Sequence, residues 1–150
     1  MAKPDRAQRL GTVLKLAEYR QQQASAALAA ISRRVLAERE RLDNLHSLQE
    51  EYMGGLRLPA GSACSVQFLQ NNMRVIQQID ELIGSQQRLV QQLVMQEKKS
   101  RQQVERCWLR CKNLEKLQGK YREQHQAEEL KKQLKIQEDD WLSRGRLPLF

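Results

Sequence analysis

The stretch Tyr52–Ser65, YMGGLRLPAGSACS, places Gly54, Gly55, Pro59 and Gly61 within eight residues. The other prolines, Pro4 and Pro148, stand almost at the termini. Glycine and proline both oppose helix propagation, so clustering them in one place marks one turn between two helices.

Toward the N-terminus, steps of four and three residues from Leu10 visit Leu14, Ala17, Gln21, Ala24, Leu28, Ile31, Val35, Glu38, Leu42, Leu45, Gln49 and Tyr52. Ten of these thirteen positions are apolar or aromatic, with no change of phase. A seam sustained over so many heptads predicts a coiled-coil helix over about residues 5–53, with Gly54-Gly55 as its C-terminal stop.

Beyond a loop at about 54–63, the hydroxyl of Ser62 or Ser65 can cap a second helix. Its expected seam is Val66, Leu69, Met73, Ile76, Asp80, Ile83, Gln87, Val90 and Val94, with Val75, Ile79, Leu82, Leu89 and Leu93 beside it. After a weak stretch the pattern returns at Val104, Trp108, Cys111, Leu114, Leu117 and Tyr121. The second helix is expected over about residues 64–142, through Gly84 and Gly119. The fold class is therefore all-α: a single domain, residues 1–150, forming a long antiparallel two-helix coiled-coil hairpin with a C-terminal single-helix overhang. Pairing residue 52 with 65 makes facing positions total about 117, which leaves the helix unpaired beyond about residue 112. An unpaired helix of that kind is marginal in water and predicts ordering against a partner.

Composition agrees. The 150 residues include 22 leucines and 21 glutamines but only 5% aromatics, enough for a narrow seam and too little for a thick core. No segment has the roughly 20 apolar residues of a membrane span, and the N-terminus lacks the apolar run of a signal peptide. Three cysteines, an odd number, fit free thiols. These features predict a cytoplasmic protein. The net charge of +8 is concentrated: residues 98–122 hold nine basic residues, Lys98, Lys99, Arg101, Arg106, Arg110, Lys112, Lys116, Lys120 and Arg122, against Glu105 and Glu115. An acidic partner surface or nucleic acid is expected there.

Catalytic constellations are missing from the sequence. Gly119-Lys120 lacks the upstream glycine and strand of a phosphate loop, and His46 and His125 have no nucleophile at triad-like spacing. Cys107 and Cys111 can share a helix face, but a metal needs further ligands. Neither an enzymatic activity nor a cofactor is expected. The apolar residues around the turn exceed what one stripe per helix can bury, so they form either a wide seam or a docking patch.

Three blocks carry a resemblance. RLGTVLKLAEYRQQQASAALAAI (9–31), RERLDNLHSLQEEY (39–52) and FLQNNMRVIQQIDELIGSQQR (68–88) are similar to the flagellar type III export chaperone family, whose members are also described as the central stalk of the flagellar export ATPase. The resemblance implies an antiparallel two-helix coiled coil that binds the hexameric export ATPase, promotes its assembly and couples it to the membrane export-gate protein. It also implies contact with export chaperones and peripheral association with the inner membrane through the export apparatus. Family gate-docking positions fall on Arg41, Leu45, Leu48, Tyr52, Val75, Ile79, Leu82 and Gln86. The paired termini and overhang would enter the ATPase ring, with the nine basic residues of 98–122 meeting acidic groups there. Two other readings stay open: the equivalent stalk of a virulence injectisome, towards which RCWLRCKN (106–113) leans, and a basic coiled coil that binds nucleic acid. A homodimer joined through the overhangs is a third.

Overall fold

A computed structural model describes residues 6–56 and 65–145. They form two helices, α1 (Arg6–Leu56) and α2 (Val66–Gly145), packed against each other, and among the described residues there is no strand. All thirteen seam positions expected in α1 are buried or half-buried. The 3.5-residue apolar repeat thus selected the covered face of α1 without error.

α1 does not stop at Gly54-Gly55. It continues to Leu56, which is half-buried and stands four residues after Tyr52, at the next seam position. That covered leucine favours one more turn despite the cost of two helical glycines, about 1 kcal/mol each. The remainder of the expected loop, and Ser62, lie outside the described residues. Ser65 is the cap: its Oγ accepts a hydrogen bond from the Phe68 backbone N–H at 3.1 Å, and its carbonyl accepts from Leu69 N–H at 3.2 Å.

The chain divides into two compact units. In the unit of residues 23–104, the buried seam of α2 includes Ile76, Ile79, Ile83, Val90 and Leu93, with Asn72 and Gln86 half-buried in the same series. Four of the nine positions expected in the first α2 seam are therefore displaced by one residue. Ile79, Gln86 and Leu93 take the places assigned to Asp80, Gln87 and Val94, and Asn72 takes that of Met73. The physical reason is plain at Ile79 and Asp80: burying the isoleucine gains apolar transfer energy, whereas burying the carboxylate would cost desolvation. Asp80 stays exposed and accepts a hydrogen bond from Gln49 at the seam edge.

One carboxylate is nevertheless buried in this unit. Glu38 receives the Gln86 amide on Oε2 at 2.6 Å and on its own backbone carbonyl at 2.9 Å, and Arg41 donates to Oε1 at 3.1 Å. A polar group at a seam position is satisfied in one alignment only, so this cluster helps set the register.

In the unit of residues 1–22 and 105–150, Ala7, Ala17 and Cys111 are buried and Leu10, Leu14, Cys107, Leu114, Gln118 and Tyr121 are half-buried. Trp108 and Leu117, expected in the seam, are instead exposed beside Cys107 and Gln118. Gln118 donates to the Ala7 carbonyl at 3.3 Å, and a Cβ on Gly11 would lie 3.2 Å from its amide nitrogen, so this close approach favours glycine. The Arg6 guanidinium stands 5.9 Å from the Tyr121 ring centroid.

These contacts correct the register. Ala7 faces Gln118 and Glu38 faces Gln86, pairs that total 125 and 124, about one heptad above the expected 117. The turn is centred later because α1 runs to Leu56 and α2 starts only at Val66. Contact with α1 consequently reaches Tyr121 rather than ending near 112, and only residues 122–145 are exposed throughout.

Candidate partner-docking surfaces

The corrected register sets the eight positions expected to dock the gate in four facing pairs along the 23–104 unit. Arg41 and Gln86, Leu45 and Leu82, Leu48 and Ile79, and Tyr52 and Val75 all total 127, close to the Gln49–Asp80 contact. Their exposure divides them. Leu48 is 39% exposed and Leu82 55%, whereas Leu45, Tyr52 and Val75 are half-buried seam or seam-edge residues. Ile79 is only 4% exposed, and it belongs to the contact between the helices rather than to the surface. Gln86 and Arg41 both serve Glu38, although the Arg41 side chain remains largely exposed.

The exposed leucines and Arg41 belong to a wider series of exposed and half-buried residues that share a simple position. Arg41, Leu48 and Gly55 in α1, and Phe68, Val75, Leu82 and Leu89 in α2, each immediately precede a covered seam residue. In an antiparallel pair such positions lie on one side. A groove of about 350 Å³ joins the helices there, lined by Leu48, Glu51, Tyr52, Gly55, Phe68 and Asn72. Phe68 was missed in the sequence reading, yet the heptad series Phe68, Val75, Leu82 and Leu89 was its signal.

All nine basic positions of 98–122 lie on α2 and are exposed. Lys98, Lys99 and Arg101 fall in the 23–104 unit, where Arg101 pairs with Glu97 at 3.0 Å. Arg106, Arg110, Lys112, Lys116, Lys120 and Arg122 fall in the other unit. There Lys112 pairs with Glu115 at 3.3 Å and stands 5.7 Å from the Trp108 ring centroid. Four-residue spacing sets Lys112, Lys116 and Lys120 in a row along one helix face. Among the described residues the other seven basic side chains make no ion pair.

Little here supports bond-making chemistry. Among the described residues no group of three or more His, Cys, Asp or Glu is placed to hold a metal. Burial, then the negative charges of Glu18 and Glu115, push the Cys111 thiol above its ordinary pKa. It stays protonated at neutral pH and is a poor nucleophile and a poor metal ligand.

The chain matches a family model, described as Flagellar FliJ protein, over residues 6–141. That match takes in both helices almost entirely. The chain belongs to the flagellar FliJ protein family. It is thus a flagellar type III export-associated protein of a non-enzymatic family, with a helical coiled-coil fold. A search of curated proteins found no match. A search of solved structures found none either. Among the described residues, no helix is long and apolar enough to cross a membrane.

Proposed function

We propose that this protein is a stalk and adaptor that binds the hexameric flagellar export ATPase, promotes its assembly and couples it to the membrane export gate. The observation that carries this reading is the bare helix after Tyr121. Residues 122–145 are each exposed, although Arg122, Gln124, His125 and Glu128 still border α1 across grooves, and they follow directly on a segment with nine basic and two acidic residues. Such a helix gains order from enclosure, and an enclosing ring with acidic walls supplies both apolar cover and opposite charge. Membership of the flagellar family favours the flagellar over the injectisome system. On the 23–104 unit, Leu48, Phe68, Val75 and Leu82 form the apolar side offered to the gate protein, and Arg41 borders it. The chain acts mechanically, attached to the inner-membrane apparatus through its partners, and export chaperones are further clients.

The test is the ATP hydrolysis rate of the export ATPase from the same genome, with and without this protein, at two salt concentrations. Stimulation is expected, together with ring formation, and both weaken as salt screens the contacts. Neutralising Arg110, Lys112, Lys116 and Lys120 to glutamine lowers the stimulation and flattens its salt dependence. Unchanged hydrolysis, with duplex DNA bound instead, contradicts the reading and favours a nucleic-acid footprint.

A further inference from the structure

The exposed end of α2 carries an apolar stripe that α1 is not placed to cover. The seam facing α1 runs through Cys107, Cys111, Leu114, Gln118 and Tyr121. Continued by the same steps it would fall on His125, Glu128, Lys132, Lys135 and Asp139, all polar. Most of the apolar residues sit elsewhere, at Ala127, Leu130, Leu134 and Trp141, with Gln137 in the same series, while Leu142 is the next step of the α1-facing series and Ile136 belongs to neither. The stripe's spacing of three and four residues again makes a seam, but one shifted by two residues, about 160° around the helix axis and so close to the opposite face. Leu130, Leu134 and Trp141 are 58%, 52% and 73% exposed.

The charges beside this stripe indicate its occupant. Reading from Glu128, the order is acidic (Glu128, Glu129), basic (Lys131, Lys132, Lys135), acidic (Glu138, Asp139, Asp140) and basic (Arg144). Reversing that order inverts every sign, so the segment complements itself when two copies run antiparallel. The same alignment fits the stripe. With Leu134 opposite Gln137 of the second copy, Leu130 falls opposite its Trp141, and Lys131 lies beside its Glu138. Two-fold symmetry repeats each contact. Among the described residues neither Lys131 nor Glu138 has an ion-pair partner within the chain.

We propose that residues 130–141 pair with the same segment of a second copy, in an antiparallel coiled coil fixed by Lys131–Glu138 contacts. The seam is short and holds one glutamine, so the association is weak and sensitive to concentration. It covers the helix segment assigned above to the ATPase ring, which makes self-pairing and ring binding mutually exclusive. The inference rests on the stripe and its charges, and stands or falls without the export reading.

Sedimentation velocity on the full chain tests it, from micromolar to near-millimolar concentration at low and high salt. The average mass is expected to rise from 17.6 kDa toward twice that value, and less so at high salt. Lys131→Glu alone, or Glu138→Lys alone, brings like charges together in the pair and shifts association to about tenfold higher concentration. Mixing the two variants restores it, because each then supplies the charge the other needs. Both positions are exposed, so neither change threatens the fold. A wild-type chain that stays monomeric throughout overturns the proposal. So do single variants that associate like wild type, or a mixture that associates no better than its components.

Discussion

Replacing Leu93 by alanine lowers the unfolding free energy by about 2–5 kcal/mol, while Val94→Ala, one residue along, costs about 0.5 kcal/mol or less. Leu93 is 2% exposed, the most fully enclosed large side chain among the described residues, and Val94 is 37% exposed. Truncating Leu93 removes apolar transfer energy and leaves a cavity between the two helices. Val94 already faces water and gives up little. Urea unfolding followed by helical circular dichroism measures both. Equal losses at the two positions would mean that α2 presents a different face to α1.

Leu48→Asp combined with Leu82→Asp abolishes binding to the export-gate protein and leaves helicity intact. Both side chains are exposed on the side that Phe68 and Val75 also occupy, so two carboxylates there are solvated in the free protein. In a complex they would have to be desolvated against an apolar surface. A loss of about 100-fold or more in affinity is expected for two such changes. Ile79→Asp has a different consequence: its carboxylate would be buried between the helices, so the variant unfolds rather than binding weakly. Titration calorimetry with the gate protein's cytosolic part, alongside circular dichroism, separates the cases. Undiminished binding by the double variant would place the docking surface elsewhere.

The contrast between α1 and α2 shows what the sequence could disclose. In α1 most turns offer one apolar candidate per seam position, so stepping by four and three finds the covered face directly. In α2 the expected and observed phases share Leu69, Ile76, Ile83 and Val90 and part only at Asn72/Met73, Ile79/Asp80, Gln86/Gln87 and Leu93/Val94, where apolar residues fall on both sides. What separates them is the partner helix, through Glu38 binding Gln86 and Gln49 binding Asp80. Register was hidden for a related reason. It depends on where α1 ends, and the glycine pair pointed to Met53 although Leu56, at the next seam step, extended the helix.

Which of the candidate residues stay at the surface was only partly legible in the sequence. Leu48 and Leu82 were found because leucines flanking a seam exceed what one stripe can cover. Ile79 and Gln86 carried the same spacing and turned out to belong to the contact between the helices. The nine basic residues needed no structure to be found, since nothing in a narrow coiled coil buries lysine or arginine.

The measurement that bears most directly on the export role is secretion of flagellar subunits by cells lacking this protein. The account predicts that secretion and swimming are lost, and that the wild-type chain restores both. The Leu48→Asp, Leu82→Asp variant should still stimulate the ATPase and yet restore neither. Secretion that continues unchanged without the protein, or full restoration by the double variant, would contradict it.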